Sequence, residues 1–162
     1  MIVLILSDSH GNLEPAVQAI DKTKPDVLIH LGDHYGDMLR LARLYPQLEV
    51  HGVPGNCDLA AGVSRERMVT LEGHSVYLCH GDRYGVKSST ADLVHLADRL
   101  QPELLLFGHT HVPYIENRGS VMLVNPGSIG RPQRAGAYSY AVAELKEGRA
   151  PSVWVKRLDK EC

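Results

Sequence analysis

Seven side chains able to hold a metal ion stand just past the ends of apolar runs: Asp8, His10, Asp33, Asn56, His80, His109 and His111. The runs and their sequels read IVLILSDSH, VLIHLGD, LEVHGVPGN, VYLCH and LLLFGHTH. Successive clusters are roughly 20–30 residues apart, the length of one strand plus its connection, so every candidate is expected at one edge of a sheet. A mixed carboxylate, imidazole and amide set suits Mn, Fe, Zn or Ni rather than a thiolate site. Singly, each cluster has an ordinary reading. Asp8 could cap a helix beginning near Leu13, Gly32-Asp33 and Gly55-Asn56 could be turns, and the later histidines could lie in surface loops. Five such clusters, each at a strand end, are hard to produce that way.

The elements that must position these groups follow from periodicity. Strands are expected at 2–7, 26–31 and 48–53, with amphipathic helices at 13–22 and 37–45 between them. Leu13, Ala16, Val17 and Ile20 share one face of the first helix, and Met38, Leu41, Leu44 and Tyr45 point inward from the second. Pro15 is tolerated in the first turn. A hairpin over 67–72 and 75–80 turns at Gly73-His74. A helix at 90–100 carries Leu93, Leu96, Ala97 and Leu100 on one face, with Ser88, Ser89 or Thr90 as its cap. Strands then follow at 103–107, 112–116, 121–124, 138–145 and 152–158, with turns at Arg118-Gly119, Asn125-Pro-Gly-Ser128 and Glu147-Gly148. A βαβαβ first half and a strand-rich second half predict an α/β fold of two packed sheets with helices outside.

The 162 residues suffice for one domain, expected over 1–162, with a sizeable core. With 44% hydrophobic and 22% charged residues, the composition is that of an ordinary globule. A net charge of −2 and no basic stripe give no strong nucleic-acid signature. No apolar run approaches the ~20 residues needed to span a bilayer, and the opening run lacks a signal peptide's basic region. Cys57, Cys79 and Cys162 form no disulfide framework, which fits a reducing cytoplasm.

Taken together, the motifs strongly resemble the calcineurin-like metallophosphoesterase superfamily, whose signature runs D-x-H, G-D, G-N-x-[DE], H and G-H-x-H in this order. Here these are Asp8-Ser9-His10, Gly32-Asp33, Gly55-Asn56-Cys57-Asp58, His80 and Gly108-His109-Thr110-His111. The resemblance spans residues 2–132 and includes N-P-G-S at 125–128, typical of the superfamily's small prokaryotic phosphodiesterases. It implies a four-layer α-β-β-α sandwich, two mixed sheets flanked by helices. It implies two divalent transition metals, most simply Mn. Asp8, His10, Asp33 and His111 would hold the first. Asp33, Asn56, His80 and His109 would hold the second, with Asp33 bridging. Two divalent ions ~3.5–4 Å apart repel by roughly 18 kcal/mol at an effective dielectric of ~20, so bridging anions are needed. The implied reaction is hydrolysis of a small phosphodiester by in-line attack of a metal-bridging hydroxide, in a protein free to form homo-oligomers.

The chain departs from the wider family at Cys57, where many relatives have a histidine that protonates the leaving oxygen. A thiol is a poor substitute, which places efficient cleavage of alkoxide leaving groups in doubt. Asp58 is expected to orient a metal-binding histidine. His34 could supply acid chemistry or be a rim residue, Asp82 stands where relatives often have histidine, and Arg83 and Arg131 could contact substrate or simply be solvated. His30 and His51 read as residues of the core or behind the site, His74 as a turn residue and His95 as one on a helix face. Setting Asp8, Asp33 and a hydroxide against two divalent ions leaves about +1, which favours a diester monoanion. Phosphomonoesterase and nucleotide pyrophosphatase activity on the same site are the alternatives. A protein-binding scaffold like the retromer subunit of this fold is a further one, though such scaffolds lack ligands that are complete here.

Overall fold

The computed structural model describes residues 1–60, 62–133 and 136–158, so Cys162 lies outside the described residues. In chain order the elements are β1 (Ile2–Leu6), α1 (Glu14–Thr23), β2 (Val27–His30), α2 (Tyr35–Leu44) and β3 (Glu49–Gly52). Then come β4 (Glu66–Leu71), β5 (His74–Cys79), a 3-10 turn (Asp82–Tyr84), α3 (Ala91–Leu100) and β6 (Leu104–Leu106). The chain continues through β7 (Pro113–Arg118), β8 (Val121–Pro126), β9 (Tyr138–Glu144) and β10 (Ser152–Leu158). One sheet is ordered β10-β9-β1-β2-β3 and the other β4-β5-β6-β8-β7. β1, β2 and β3 are parallel to one another, as are β5, β6 and β8, and each sheet is completed by antiparallel strands.

Alternation along the parallel strands builds three apolar layers. Val3, Ile5, Val27 and Ile29 of one sheet meet Val76, Leu78, Leu104 and Leu106 of the other between the sheets. Leu4, Leu6 and Leu28 face the opposite way, onto Ala16, Ala19 and Ile20 of α1 and Leu41 of α2. Leu105 and Phe107 pack under Leu93, Leu96 and Ala97 of α3. The result is the expected four-layer α-β-β-α sandwich of two mixed sheets. No helix among the described residues is long and apolar enough to cross a membrane.

Local expectations differ in three places. α2 begins at Tyr35 rather than 37, because a distant carboxylate, Asp58, takes up the backbone N–H groups of His34 and Tyr35. Leu44, expected inward, is the last residue of α2 and is 61% exposed. His74 is not a turn residue. It opens β5 and is 4% exposed, bonded by Glu103 and the Lys146 carbonyl.

Candidate metal centre

The parallel strands deliver the candidates to one end of the sandwich. Asp8 and His10 follow β1, Asp33 follows β2, Asn56 follows β3, His80 follows β5, and His109 and His111 follow β6. Cross-links between the loops close the cluster. Asp8 N–H donates to the Gly32 carbonyl at 3.0 Å, Gly108 N–H to the His80 carbonyl at 2.8 Å, and His109 N–H to Asp8 Oδ2 at 3.1 Å. Asp8, His10, Asp33 and His111 each offer a ligand atom within 4.8 Å of the others, and so do Asp33, His80 and His109. Asn56 Oδ1 joins the second group, 3.1 Å from His80 Nε2.

The polarity of these contacts is what matters. The His80 Nδ1–H donates to the Leu31 carbonyl at 2.7 Å and the His111 Nδ1–H to the Arg131 carbonyl at 2.6 Å. In the neutral rings Nε2 is then a lone pair in each case. His80 Nε2 faces Asn56 Oδ1 and, at 3.4 Å, Asp33 Oδ1. His111 Nε2 faces Asp8 Oδ1 at 3.1 Å. His10 Nε2 lies 3.6 Å from Asp33 Oδ2 and 3.4 Å from His111 Nε2. Asp8 Oδ1 is buried and takes no hydrogen bond. Acceptors that converge on acceptors, around an orphaned buried carboxylate oxygen, are the arrangement a cation resolves. The donor set therefore fits divalent metal.

Charge effects agree. Burial would raise the Asp8 carboxyl, but His111, His80 and Ser7 outweigh it and hold it below its ordinary value. The Asp8 carboxylate raises His111, because without a cation only a second ring proton could answer that oxygen. Burial lowers His10, against the pull of Asp33 and Asp8. Burial also lowers His109, helped by His80 and Lys87.

The backbone is strained where the ligands sit. Asp8, His10, Asp33, His109 and His111 all have φ between 47° and 68°. Left-handed geometry costs roughly 1–2 kcal/mol per non-glycine residue, least for Asp, Asn and His. Two glycines allow the close approach: a Cβ at Gly55 would run into Asp33 Oδ1, and one at Gly108 into Ser7 Oγ.

Residues behind the cluster hold this conformation. His30 is fully buried, and burial pushes it down to about 4. Its Nδ1 accepts from Gly32 N–H, so its Nε2–H donates to Ser9 Oγ at 3.0 Å, and Ser9 passes a hydrogen bond to Asp37 Oδ2 at 2.7 Å. Asp37 also takes Gly11 N–H at 2.8 Å. His30 thus fulfils its expectation, whereas His51 pairs with Glu49 on β3 and His95 is exposed on α3. Asp58 requires a correction. Its hydrogen bonds go to the backbone N–H groups of Gly55, His34 and Tyr35, so it sets two loops rather than a histidine ring. Cys57 is exposed, its backbone N–H donates to Asp33 Oδ1 at 3.0 Å, and burial and Asp33 raise its thiol.

His34 lies beside His10, ring centroids 6.0 Å apart, with Nδ1 3.7 Å from Asp37 Oδ2. Arg131 contributes its carbonyl to His111. Arg83 lines a shallow groove with Asp92, His95 and Arg99 against α3. Two residues were missed as parts of the site. Asn125 donates to the Gly108 carbonyl and Thr110 Oγ1, and Ser128 to the Asp8 carbonyl, so N-P-G-S clasps both ligand loops. Their signal was the N-P-G-S motif itself, read as a turn and as part of the resemblance.

Comparison with known proteins places this geometry. A probable metallophosphoesterase of Bacillus subtilis, YsnB, is 34% identical over 154 residues, 93% of this chain and 88% of that one. The phosphodiesterase YfcE of Escherichia coli is 27% identical over 168 residues, 89% and 88% of the two chains. The structure of Vps29 from Entamoeba histolytica complexed with zinc superposes with a TM-score of 0.77 at 19% identity, covering 98% and 99%, a likeness of fold. The calcineurin-like phosphoesterase superfamily domain matches residues 1–148, which take in every strand-end cluster, and the chain belongs to that superfamily of metal-dependent phosphoesterases.

Proposed function

We propose that the protein is a dinuclear metal-dependent phosphodiesterase. One observation carries the reading: Asp8 Oδ1, buried without a hydrogen-bond partner, lies among the Nε2 atoms of His80 and His111, whose Nδ1 atoms are taken by backbone carbonyls, with Asn56 Oδ1 3.1 Å from His80 Nε2. Asp8, His10, Asp33 and His111 would hold one ion and Asp33, Asn56, His80 and His109 the other. Mn is favoured by the oxygen- and imidazole-rich donors, with Fe, Zn or Ni compatible. When bound, two such ions supply Lewis acidity toward phosphate oxygens and make hydroxide available near neutral pH.

The chain's own residues do the rest. Asp33 presents Oδ2 toward His10 and Oδ1 toward His80, the disposition of a bridge. The Leu31 and Arg131 carbonyls hold the rings of His80 and His111 in one tautomer and orientation. Asn56 offers a neutral oxygen, which limits negative charge where an anionic substrate must bind. Cys57 stays a neutral thiol, neither a nucleophile nor a strong proton donor. That restricts the site to leaving groups that depart unaided, unless another donor acts. The likeness to YfcE, itself named a phosphodiesterase, supports the diester reading.

The test is metal analysis joined to substrate profiling. Purified protein should carry two transition metals per chain, lose hydrolysis of an aryl phosphodiester on chelation, and regain it with Mn. A metal-free protein whose activity ignores chelator would sink the reading. Turnover of the aryl monoester alone, with the diester and cyclic nucleotides untouched, would replace diesterase by monoesterase on the same residues.

A further inference from the structure

A phosphodiester has two ester arms, and the ligand cluster accounts for neither. The structure offers a place for one. A groove beside His111 has a volume of about 640 Å³, within the ~300–1,000 Å³ of small-molecule sites. Its walls include Pro113, Pro132, Gln133, Ser139 and Arg157 along with His111 itself. His111 also belongs to the cluster, its Nε2 lying 3.1 Å from Asp8 Oδ1. A phosphate held by the cluster therefore stands beside the groove.

Strand register explains how an arginine comes to be there. β9 runs antiparallel to β1 and β10 antiparallel to β9, so Ser139 and its partner Arg157 stand at the same end of the sandwich as Asp8. Arg157 is in step with Val153, which packs against the layer between the sheets, so its side chain leaves β10 on that face. Pro113 reaches the groove from the other sheet, where it pairs with Pro126. Gly127, with φ of 81°, lets these two meet: a Cβ there would run into Ser139 Oγ and Pro113. Another wall is tied to the ligand loop, because Gln133 Nε2 donates to the Thr110 carbonyl at 2.9 Å and His111 Nδ1 to the Arg131 carbonyl. A groove whose walls are fixed before a ligand arrives costs less to order around it.

Charge sets this groove apart. In grooves elsewhere the cations stand with carboxylates: Lys24 with Asp21 and Asp26, Arg83 and Arg99 with Asp92, and Arg149 with Glu72 and Glu147. The groove beside His111 holds Arg157 and, among the described residues, no carboxylate. We propose that it is a subsite for one ester arm of the substrate, and that Arg157 binds an anionic group, carboxylate or phosphate, carried on that arm. This rests on the phosphodiesterase reading and narrows its substrate class. Proline walls accept the carbon chain of the arm, and a planar guanidinium matches two oxygens of a carboxylate or phosphate at once.

The test measures binding rather than turnover, on the zinc-loaded full chain. Phosphinates serve as probes because their C–P bonds are not hydrolysed. Dimethylphosphinate has no arm and methyl(pentyl)phosphinate a neutral one, while methyl(4-carboxybutyl)phosphinate and methyl(4-phosphonobutyl)phosphinate have anionic arms. By calorimetry, wild type should hold at least one anionic-arm probe about tenfold more tightly than the neutral-arm probe, near 1.4 kcal/mol. Arg157→Gln should erase that difference and leave dimethylphosphinate within about twofold, and Arg157→Lys should retain part of it. Whichever anionic arm responds more strongly identifies the group. In amide NMR spectra that probe should shift Ala137 and Ser139, which dimethylphosphinate leaves in place. Anionic arms held no better than the neutral one, a difference that survives Arg157→Gln, or shifts confined to residues away from the groove would overturn the proposal. Failure of the phosphodiesterase reading shows separately, as wild type that hydrolyses no phosphodiester while the ratio of affinities is still measured.

Discussion

Two of the histidine–carboxylate groups among the described residues stand at different places and want different cations. Beside the β4–β5 turn, His74 lies between Glu103 Oε2 at 2.8 Å and the Lys146 carbonyl at 3.1 Å. Both ring nitrogens have an acceptor, so two protons satisfy the site. Burial lowers the ring's pKa, but Glu103 and Lys146 outweigh it and the net direction is upward. At the strand ends beyond β1, β2, β5 and β6, each of His80 and His111 spends its proton on a backbone carbonyl behind it. The other nitrogen meets acceptors, and Asp8 Oδ1 is left without a donor. The first cluster is complete with a proton and joins the β4–β5 turn to the β9–β10 turn. The second is incomplete until a multivalent ion arrives. The same residue types therefore serve stability in one place and chemistry in the other, according to where the surrounding carbonyls point.

The sharpest way to break this contrast is Asp33→Asn. It removes the carboxylate whose two oxygens face different halves of the cluster, Oδ2 toward His10 and Oδ1 toward His80, so activity at limiting metal should fall by orders of magnitude with the fold intact. Retention of more than about a tenth, a barrier change of only ~1.4 kcal/mol, would show that Asp33 does not bridge. Metal content measured on the same sample separates lost binding from lost chemistry.

A middle-sized effect is expected at Cys57. Wild type should cleave activated aryl diesters much faster than alkyl diesters, whose alkoxide needs a proton as the bond breaks. Cys57→His should raise kcat/KM on alkyl diesters selectively, since a positioned general acid is worth roughly 10²–10⁴-fold. Equal wild-type rates on the two substrate types would mean that another donor, such as His34, already acts.

The smallest effect belongs to the proton-satisfied cluster. His74 has a raised folded-state pKa, so its contribution to stability is present below the unfolded value of about 6.5 and is lost as pH rises through the folded value. Glu103 is 40% exposed in its side chain, so solvent screens the pair to about 0.5–1 kcal/mol. Glu103→Gln should lower the denaturation midpoint between about pH 5 and 6.5, with the deficit shrinking at higher pH and activity unaffected. A deficit that grows with pH would reverse the assignment.

Much of this was legible in the chain. Alternation in IVLIL and the triplet of leucines at 104–106 marks strands buried on both faces, and strands of that kind force their ligands to a common edge. The seven ligand candidates, each placed by the sequence at a strand end, lie together at one end of the sandwich, although Asn56 follows β3, whose Glu49 is exposed. Other features had no local signal. Asp58 reads like one more acidic residue after a ligand, and only the fold shows that it serves backbone N–H groups 23 and 24 residues away. Leu44 obeys the helical period yet is exposed at the end of α2.

What the sequence by itself determined is which segments are strands and which helices, the chemistry of the donors and their delivery to strand ends, because periodicity and residue type are local properties. Only the tertiary structure decided which nitrogen of each histidine is free. That choice depends on the Leu31 and Arg131 carbonyls, which reach His80 and His111 from 49 and 20 residues away.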